Sequence, residues 1–374
     1  LYTLNQEVGN EVVVDQKIID LLNYAIDMYN QTSGMMNIAM GSVLKLWHDE
    51  REYASYHPNL EGKLPLMSDL EEAAKHTNIL DIVIDDERNT VLLKDKLMRL
   101  DVGAIAKGYA TEEIAKKLQS LGVSSYMLNV GGNIRLIGSK ANGEKWKVGI
   151  QDPDESATNN NIAILELQDF AIVTSGSYQR YYYVDGVKYH HIIDPKTLMP
   201  ENKYVSVSVV AKDSALADAL STALFNLSLD DGKALIKDLN DVYVMWIDMD
   251  NKIHYSSGFE NFLIEKKEHT MNNNQEQRTL NNLKKNKPSI VLPIINTVFS
   301  VIFLAGSIYC KIAFKEQYAL GYFIAFNVLV ILFPITSWYN SYFSKKQNIK
   351  KIKNYDHETK EIVSYIKRLQ SFKG

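Results

Sequence analysis

Near residue 265 the chain changes character, and no single compact core accommodates both sides of the change. Up to that point, short apolar runs rich in β-branched and aromatic residues alternate with turn signals and amphipathic segments, the pattern of a packed globular domain. Beyond it comes EKKEHTMNNNQEQRTLNNLKKNK, polar and rich in Asn, which reads as a linker or a solvated helix. Two runs without Asp, Glu, Lys or Arg follow, at 288–310 and 319–339. Each is long enough to cross a bilayer. Tyr309, Tyr318, Trp338 and Tyr339 stand near their ends, where interfacial aromatics belong. The alternative is a pair of buried core helices. The expected organisation is a globular domain at 1–264, a polar linker at 265–287, a transmembrane helical hairpin in a lipid bilayer at 288–339, and a basic amphipathic tail at 340–374.

Composition removes several function classes. The formal net charge of -4 over 374 residues gives no global attraction for nucleic acid. Cys310 is the only cysteine, so neither an intrachain disulfide nor a multi-cysteine metal site can form. The opening LYTLNQEVG reads as the middle of a domain, so an N-terminal truncation is expected.

Helices are expected at 15–31, 68–76, 104–121, 213–226 and 231–239. SYMLNVGG, NIRLIG, WKVGI, IAILELQ, AIVTSG, RYYYVDG, YVSVSVVA and VYVMWID read as strands. VDG and ANGEK are candidate hairpin turns. Many strands succeed one another without a helix between them, which favours an α+β fold with mixed or antiparallel sheets and packed helices.

KDSALADALSTALFNL carries the most chemistry. Asp213 or Ser214 can cap the helix. Asp218, Ser221 and Thr222 stand at i, i+3 and i+4, so their oxygens share one face of an otherwise apolar helix. A buried carboxylate is costly unless it is paired or metal-bound, and a hard cation such as Mg²⁺ would satisfy carboxylate, hydroxyl and backbone oxygens together. The competing reading places these residues in solvent. In DVGAIAKGYA, Gly103 and Gly108 flank a helix start, and Lys107 can place a charge near a phosphate; a plain strand-to-helix turn is the alternative. LNVGGNI and VTSGSYQRYY supply paired glycines and hydroxyls, and each taken alone reads equally as a loop. In YHHIIDPKTLMP one of two adjacent histidines can face a site while the other faces away.

Taken in order, DVGAIAKGYA, LNVGGNI, VTSGSYQRYY, HHIIDPKT and DALSTAL resemble the ApbE-type FAD:protein FMN transferases, with GMMNIAMGSVLKLW as a looser block. The resemblance covers roughly residues 1–260. It implies that Asp101 and Lys107 contact FAD, that the carbonyl of Ala104 joins Asp218, Ser221 and Thr222 around Mg²⁺, and that Ile192 meets the flavin nucleotide through its backbone. It places Ala39, Met40 and Gly41 along the same cleft and His191 beside the reacting phosphates, where it could take the proton of the acceptor hydroxyl. The implied reaction cleaves the FAD pyrophosphate, attaches FMN to a Thr or Ser of an acceptor protein of an electron-transport system, and releases AMP. Hydrolysis of FAD to FMN and AMP, and a silent flavin-binding membrane module, are the alternatives. The chain departs from the family pattern where Leu198 replaces a Gly, where Gly103-Ala104 replaces Gly-Gly, and where Met36-Asn37-Ile38-Ala39 loses side-chain oxygens that the family block carries. The family works outside the cytoplasm, so a cell-membrane location with an extracytoplasmic catalytic domain is expected. The lysines flanking the apolar pair (Lys284, Lys285, Lys345, Lys346) argue the other way.

Overall fold

The computed structural model describes residues 1–57, 62–154 and 160–266. The chain divides into two units, Leu1–His269 and Thr270–Gly374, and the described residues all belong to the first. The expected transmembrane hairpin, the tail and the linker from 267 onward lie outside the described residues. Among the described residues, no helix is long and apolar enough to cross a membrane.

The helices are α1 (Tyr2–Gln6), α2 (Gln16–Gln31), α3 (Gly41–Tyr56), α4 (Met67–Ala74), α5 (Ala106–Ser120), α6 (Ser214–Asn226) and α7 (Leu229–Ile236). The strands, in chain order, are β1 (Glu11–Val13), β2 (Ile82–Asp85), β3 (Thr90–Leu93), β4 (Tyr126–Val130), β5 (Asn133–Ile137), β6 (Trp146–Gln151), β7 (Asn161–Leu167), β8 (Ala171–Gly176), β9 (Tyr181–Val184), β10 (Val187–His190), β11 (Tyr204–Ala211), β12 (Tyr243–Asp248), β13 (Ile253–Tyr255) and β14 (Leu263–Lys266). Every strand pairing is antiparallel, as expected of an α+β fold. β14 runs two residues into the stretch read as linker.

The five expected helices form, each within three residues of its expected ends. Asp15 caps α2 through the Lys17 N–H, and Asp213, not Ser214, caps α6 through the N–H groups of Ala215 and Leu216. The sequence reading missed α3. Only Val43 and Trp47 beyond Gly41 are buried on it, so its apolar stripe is too narrow to stand out from the charged residues around it. VDG is a hairpin turn, with Asp185 at φ 50° and Gly186 at φ 76° joining β9 to β10. ANGEK is not. β5 belongs to a six-stranded sheet, ordered β13-β12-β11-β8-β5-β4, and β6 to a three-stranded sheet, ordered β14-β7-β6. The turn signal marks a local reversal, closed by Gly143 N–H to Lys140 O at 2.8 Å, but the chain leaves the sheet there.

The six-stranded sheet has two covered faces, and strand alternation assigns residues to them. On one face Val173, Val207, Val209 and Ala211 pack with Ala217, Leu220 and Leu224 of α6. On the other, Leu136, Ile172 and Val210 pack with Val148, Ile150, Leu165 and Leu167 of the small sheet. By the same alternation Asn133 and Arg135 of β5 and Ser175 of β8 point to the helix face.

α5 and α6 lie together over that face. Gly108 meets Asp218 while Glu112 meets Ser214, so the helices run antiparallel with their N-terminal turns overlapping. Gly108 makes the approach possible. A Cβ there would stand 2.3 Å from the Ser214 carbonyl oxygen and 2.5 Å from the Asp218 Cβ. Gly108→Ala should therefore force the helices apart and lower stability by about 1–3 kcal/mol, read as a shift in the denaturant midpoint.

Candidate active site

Asp218 sits on the first half of α6 and is buried, 3% exposed. Its position follows from an unmet need of α5. That helix begins after Ile105, which offers no capping side chain, so its first N–H groups lack partners. Asp218 supplies one. Its Oδ2 accepts the Gly108 N–H at 2.7 Å, and the carboxylate sits at the positive end of the α5 dipole. Lys107, 37% exposed at its side chain, places its Nζ 3.4 Å from Oδ1. Burial nevertheless pushes the Asp218 carboxyl above the usual carboxylate range, against the pull of Lys107, the Gly108 N–H and the Asn133 amide. Asn133 faces the carboxylate from β5. It is 2% exposed, and its Nδ2 makes no hydrogen bond of ordinary length.

Two hydroxyl residues follow Asp218 on α6. Ser221 is fully buried; its Oγ donates to the Asp218 carbonyl at 2.8 Å and lies 2.8 Å from Ser175 Oγ of β8. Thr222 follows on the same face, half-buried. Ala104 precedes α5. Among the described residues no backbone N–H donates to its carbonyl, because the nearest candidate, Gly108, serves Asp218. A carboxylate held partly uncompensated, a free carbonyl and hydroxyls at i+3 and i+4 are hard oxygen donors, and they fit a Mg²⁺-like cation. No group of three or more His, Cys, Asp or Glu that could hold a metal occurs among the described residues, so the donor set rests on one carboxylate.

The β4–β5 turn carries Gly131 at φ 57° and Gly132 at φ 92°, and the Gly131 Cβ direction points to the Lys107 stem at 4.0 Å. Asp101 is exposed; its Oδ1 accepts the Gly103 N–H at 2.7 Å, and its own N–H donates to Ile38 O at 2.8 Å. Met40 forms a parallel bridge with Arg99. A Cβ on Gly41 would stand 2.4 Å from the Arg99 carbonyl oxygen. Ala39, Met40 and Gly41 are thereby fastened alongside the segment that leads from Arg99 to Asp101. Asn37 keeps one side-chain oxygen at work in this block, accepting the Ala39 N–H at 2.8 Å.

The histidine pair divides as alternation requires. His190 is buried; its Nε2 bonds Glu201 O at 2.6 Å, and its Nδ1 accepts the Ile192 N–H at 3.2 Å. Burial holds its pKa down to about 4. His191 is half-buried, with its Nδ1 enclosed and unpartnered. Burial first, then Arg180, His190 and Arg51, hold it down to about 3. It is a neutral imidazole at ordinary pH, able to accept a proton but not to donate one. Ile192 is buried, and its carbonyl accepts the Glu201 N–H, so both its backbone polar groups already have protein partners. Leu198 keeps the left-handed turn that a Gly would have made, at φ 61°. Its carbonyl accepts from Trp47 Nε1 at 2.9 Å, and its side chain packs with Met40, Val43, Tyr182 and Ile193.

Residues that sequence reasoning did not place in the site are Asn133, Ser175, Arg51 and Arg180. The first two arrive by sheet register, which depends on pairings between distant segments. A buried ion pair supports the centre from behind. Arg135 Nε lies 2.9 Å from Glu112 Oε2, and the same oxygen accepts the Ser214 N–H at 2.8 Å.

Comparison with known proteins converges on one group. The family model described as "ApbE family" matches residues 1–246. The FAD:protein FMN transferase of Treponema pallidum is 34% identical over 273 residues, covering 69% of this chain and 73% of that one. That of Vibrio cholerae is 33% identical, covering 70% and 77%. Among solved structures, the ApbE protein from Thermotoga maritima superposes with a TM-score of 0.62 at 32% identity, covering 71% of this chain and 83% of that one. The flavin transferase ApbE from Vibrio cholerae gives 0.59 at 31%, covering 70% and 82%. With its capped carboxylate, its glycine turn and its sheet order in place, this chain belongs to the ApbE family.

Proposed function

We propose that this chain transfers FMN from FAD to a Thr or Ser hydroxyl of an acceptor protein, with Mg²⁺ as the metal and AMP as the second product. The observation that carries the reading is the buried Asp218 carboxylate, with Lys107 Nζ 3.4 Å from it and the hydroxyl residues Ser221 and Thr222 following it on α6. In the reaction, the acceptor oxygen forms a bond to the FMN phosphorus, and the bond from that phosphorus to the oxygen of the AMP phosphate breaks. Such a transfer needs positioning and charge neutralisation more than covalent participation by the protein. A bound Mg²⁺ would neutralise charge on the pyrophosphate oxygens, held by Asp218, Ser221, Thr222 and the Ala104 carbonyl. Lys107 adds a cation that reaches from the half-exposed rim to the buried carboxylate. Neutral His191 accepts the proton leaving the acceptor hydroxyl. Asp101, exposed and anionic, suits hydroxyl or imide donors on the dinucleotide and not its phosphates.

The acceptor is placed among electron-transport proteins, and the catalytic domain on the extracytoplasmic side of the cell membrane, anchored by the apolar pair at 288–339. Protease accessibility of the domain in intact cells tests the location; protection of the domain until the membrane is opened would reverse it.

Asp218→Ala should abolish AMP release from FAD in the presence of Mg²⁺ and acceptor, while Lys107→Ala should weaken FAD binding about tenfold or more, in line with loss of one charge-assisted contact. Mass spectrometry of the acceptor separates transfer from hydrolysis; AMP release without an FMN adduct would overturn the transferase reading. Stability should also carry the mark of the two histidines. Unfolded, they protonate near pH 6.5, whereas the folded chain holds them neutral down to about 4 and about 3. The unfolded state then binds more protons below pH 6.5, so their contribution is full above that pH and is lost as the pH falls toward 4. His191→Gln should flatten this part of the profile of urea midpoint against pH.

A further inference from the structure

Two arginines near His191, Arg51 and Arg180, form no ion pair among the described residues. Arg180 lies just after β8, and its carbonyl accepts the His191 N–H at 3.1 Å, so the two residues are fixed to one another. Arg51 is on α3, whose start is fastened to Arg99 through Gly41 and whose side packs on β9, the strand that follows Arg180. The packing brings the two guanidinium groups within electrostatic reach of each other, and both act on His191. Arg51 is half-buried. Desolvation first, then Arg180, lowers its pKa, and the opposing influences of Glu52, Tyr182 and Asp101 are smaller.

Neither guanidinium has an ion pair among the described residues, where Arg88 and Arg135 are the arginines that do. Glu52 turns instead toward His48, at 3.6 Å. Arg180 is exposed and Arg51 half-buried, and two like charges drawn together with one of them partly desolvated are unfavourable unless an anion joins them. The guanidinium fork matches the oxygens of a phosphate. α3, which carries Arg51, packs on β9, which follows Arg180, and Asp101 lies within electrostatic reach of Arg51.

We propose that Arg51 and Arg180 form a phosphate-binding subsite on the His191 side of the cleft, which takes one phosphate of the dinucleotide's pyrophosphate. The assignment rests on the reading of the cleft as a dinucleotide site. It divides the pyrophosphate between two cationic ends, Lys107 with the Asp218 centre at one and the arginine pair at the other. A phosphate bound there also cancels the repulsion that the arginines exert on a protonated His191, so substrate binding makes that imidazole a better proton acceptor.

The test measures binding of AMP and of FMN separately to the full chain by calorimetry, at several salt concentrations, without acceptor. The mononucleotide whose phosphate occupies the subsite should bind about tenfold or more weakly to Arg51→Gln and to Arg180→Gln. The salt dependence of its binding should flatten, and Arg51→Lys and Arg180→Lys should recover part of the loss, which a merely structural defect would not show. AMP and FMN affinities that are both unchanged in the double Gln variant would overturn the subsite, as would a wild-type chain that binds neither. Arginine-dependent binding with no FMN transferred to any acceptor would leave the subsite standing and remove the transferase reading, so the two fail separately.

Discussion

Two helices that cap each other's N-termini hold this structure together. α5 starts without a capping side chain of its own, and Asp218 of α6 accepts the Gly108 N–H. In return, Glu112 of α5 accepts the Ser214 N–H at the start of α6. The exchange works only because the helices are antiparallel and in near backbone contact, and that contact exists because position 108 has no Cβ. Each cap of this kind contributes about 1 kcal/mol. The larger consequence is geometric. Asp218 cannot leave its place over the first turn of α5 without uncapping it, so the carboxylate is positioned by the fold before any ligand arrives.

The sheet beneath the helix pair completes the site by register. β5 presents Asn133 and Arg135 to the helix face, two residues apart, and these meet Asp218 and Glu112 respectively. β8 presents Ser175 to Ser221. The same strands send Leu136 and Ile172 into the opposite core. A slip of one residue in β5 would exchange these sets and put a guanidinium among the leucines. The ion pair between Arg135 and Glu112, buried on both sides, therefore helps to fix which face of β5 belongs to the active site.

What could be read from the sequence was local. The i, i+3, i+4 placement of Asp218, Ser221 and Thr222 is a property of one helix, and the Asp185-Gly186 turn is a property of four residues, so both were legible. The sharing of Gly108 between helices was not, because a glycine three residues into a helix looks like ordinary turn punctuation until the partner helix is known. ANGEK failed for the related reason that turn chemistry fixes a reversal of the chain but not the sheet to which the next strand belongs. Arg51 was hidden twice. It stands on a helix with a narrow apolar stripe, and its importance comes from Arg180, which is 129 positions away in the chain. Leu198 shows the opposite case. A departure from the family pattern left the backbone unchanged, because its buried side chain and the Trp47 hydrogen bond offset the strain of a left-handed residue.

On the proposed reading, the charges around Asp218 bear on how one carboxylate would be enough for a cation. Asp218 faces Lys107, while Arg180 and Asp101 both act on Arg51, and both arginines act on His191. A divalent cation added to this set would leave the cleft strongly positive, which low-dielectric surroundings resist. A pyrophosphate added alone would meet the buried Asp218 carboxylate, which resists it equally. Added together they neutralise one another and leave the protein's own charge balance unchanged. Cation and dinucleotide should then bind as mutual partners, each raising the affinity of the other. A second or third carboxylate at the centre would hold the metal without substrate, and it would oppose the phosphates that the site must receive.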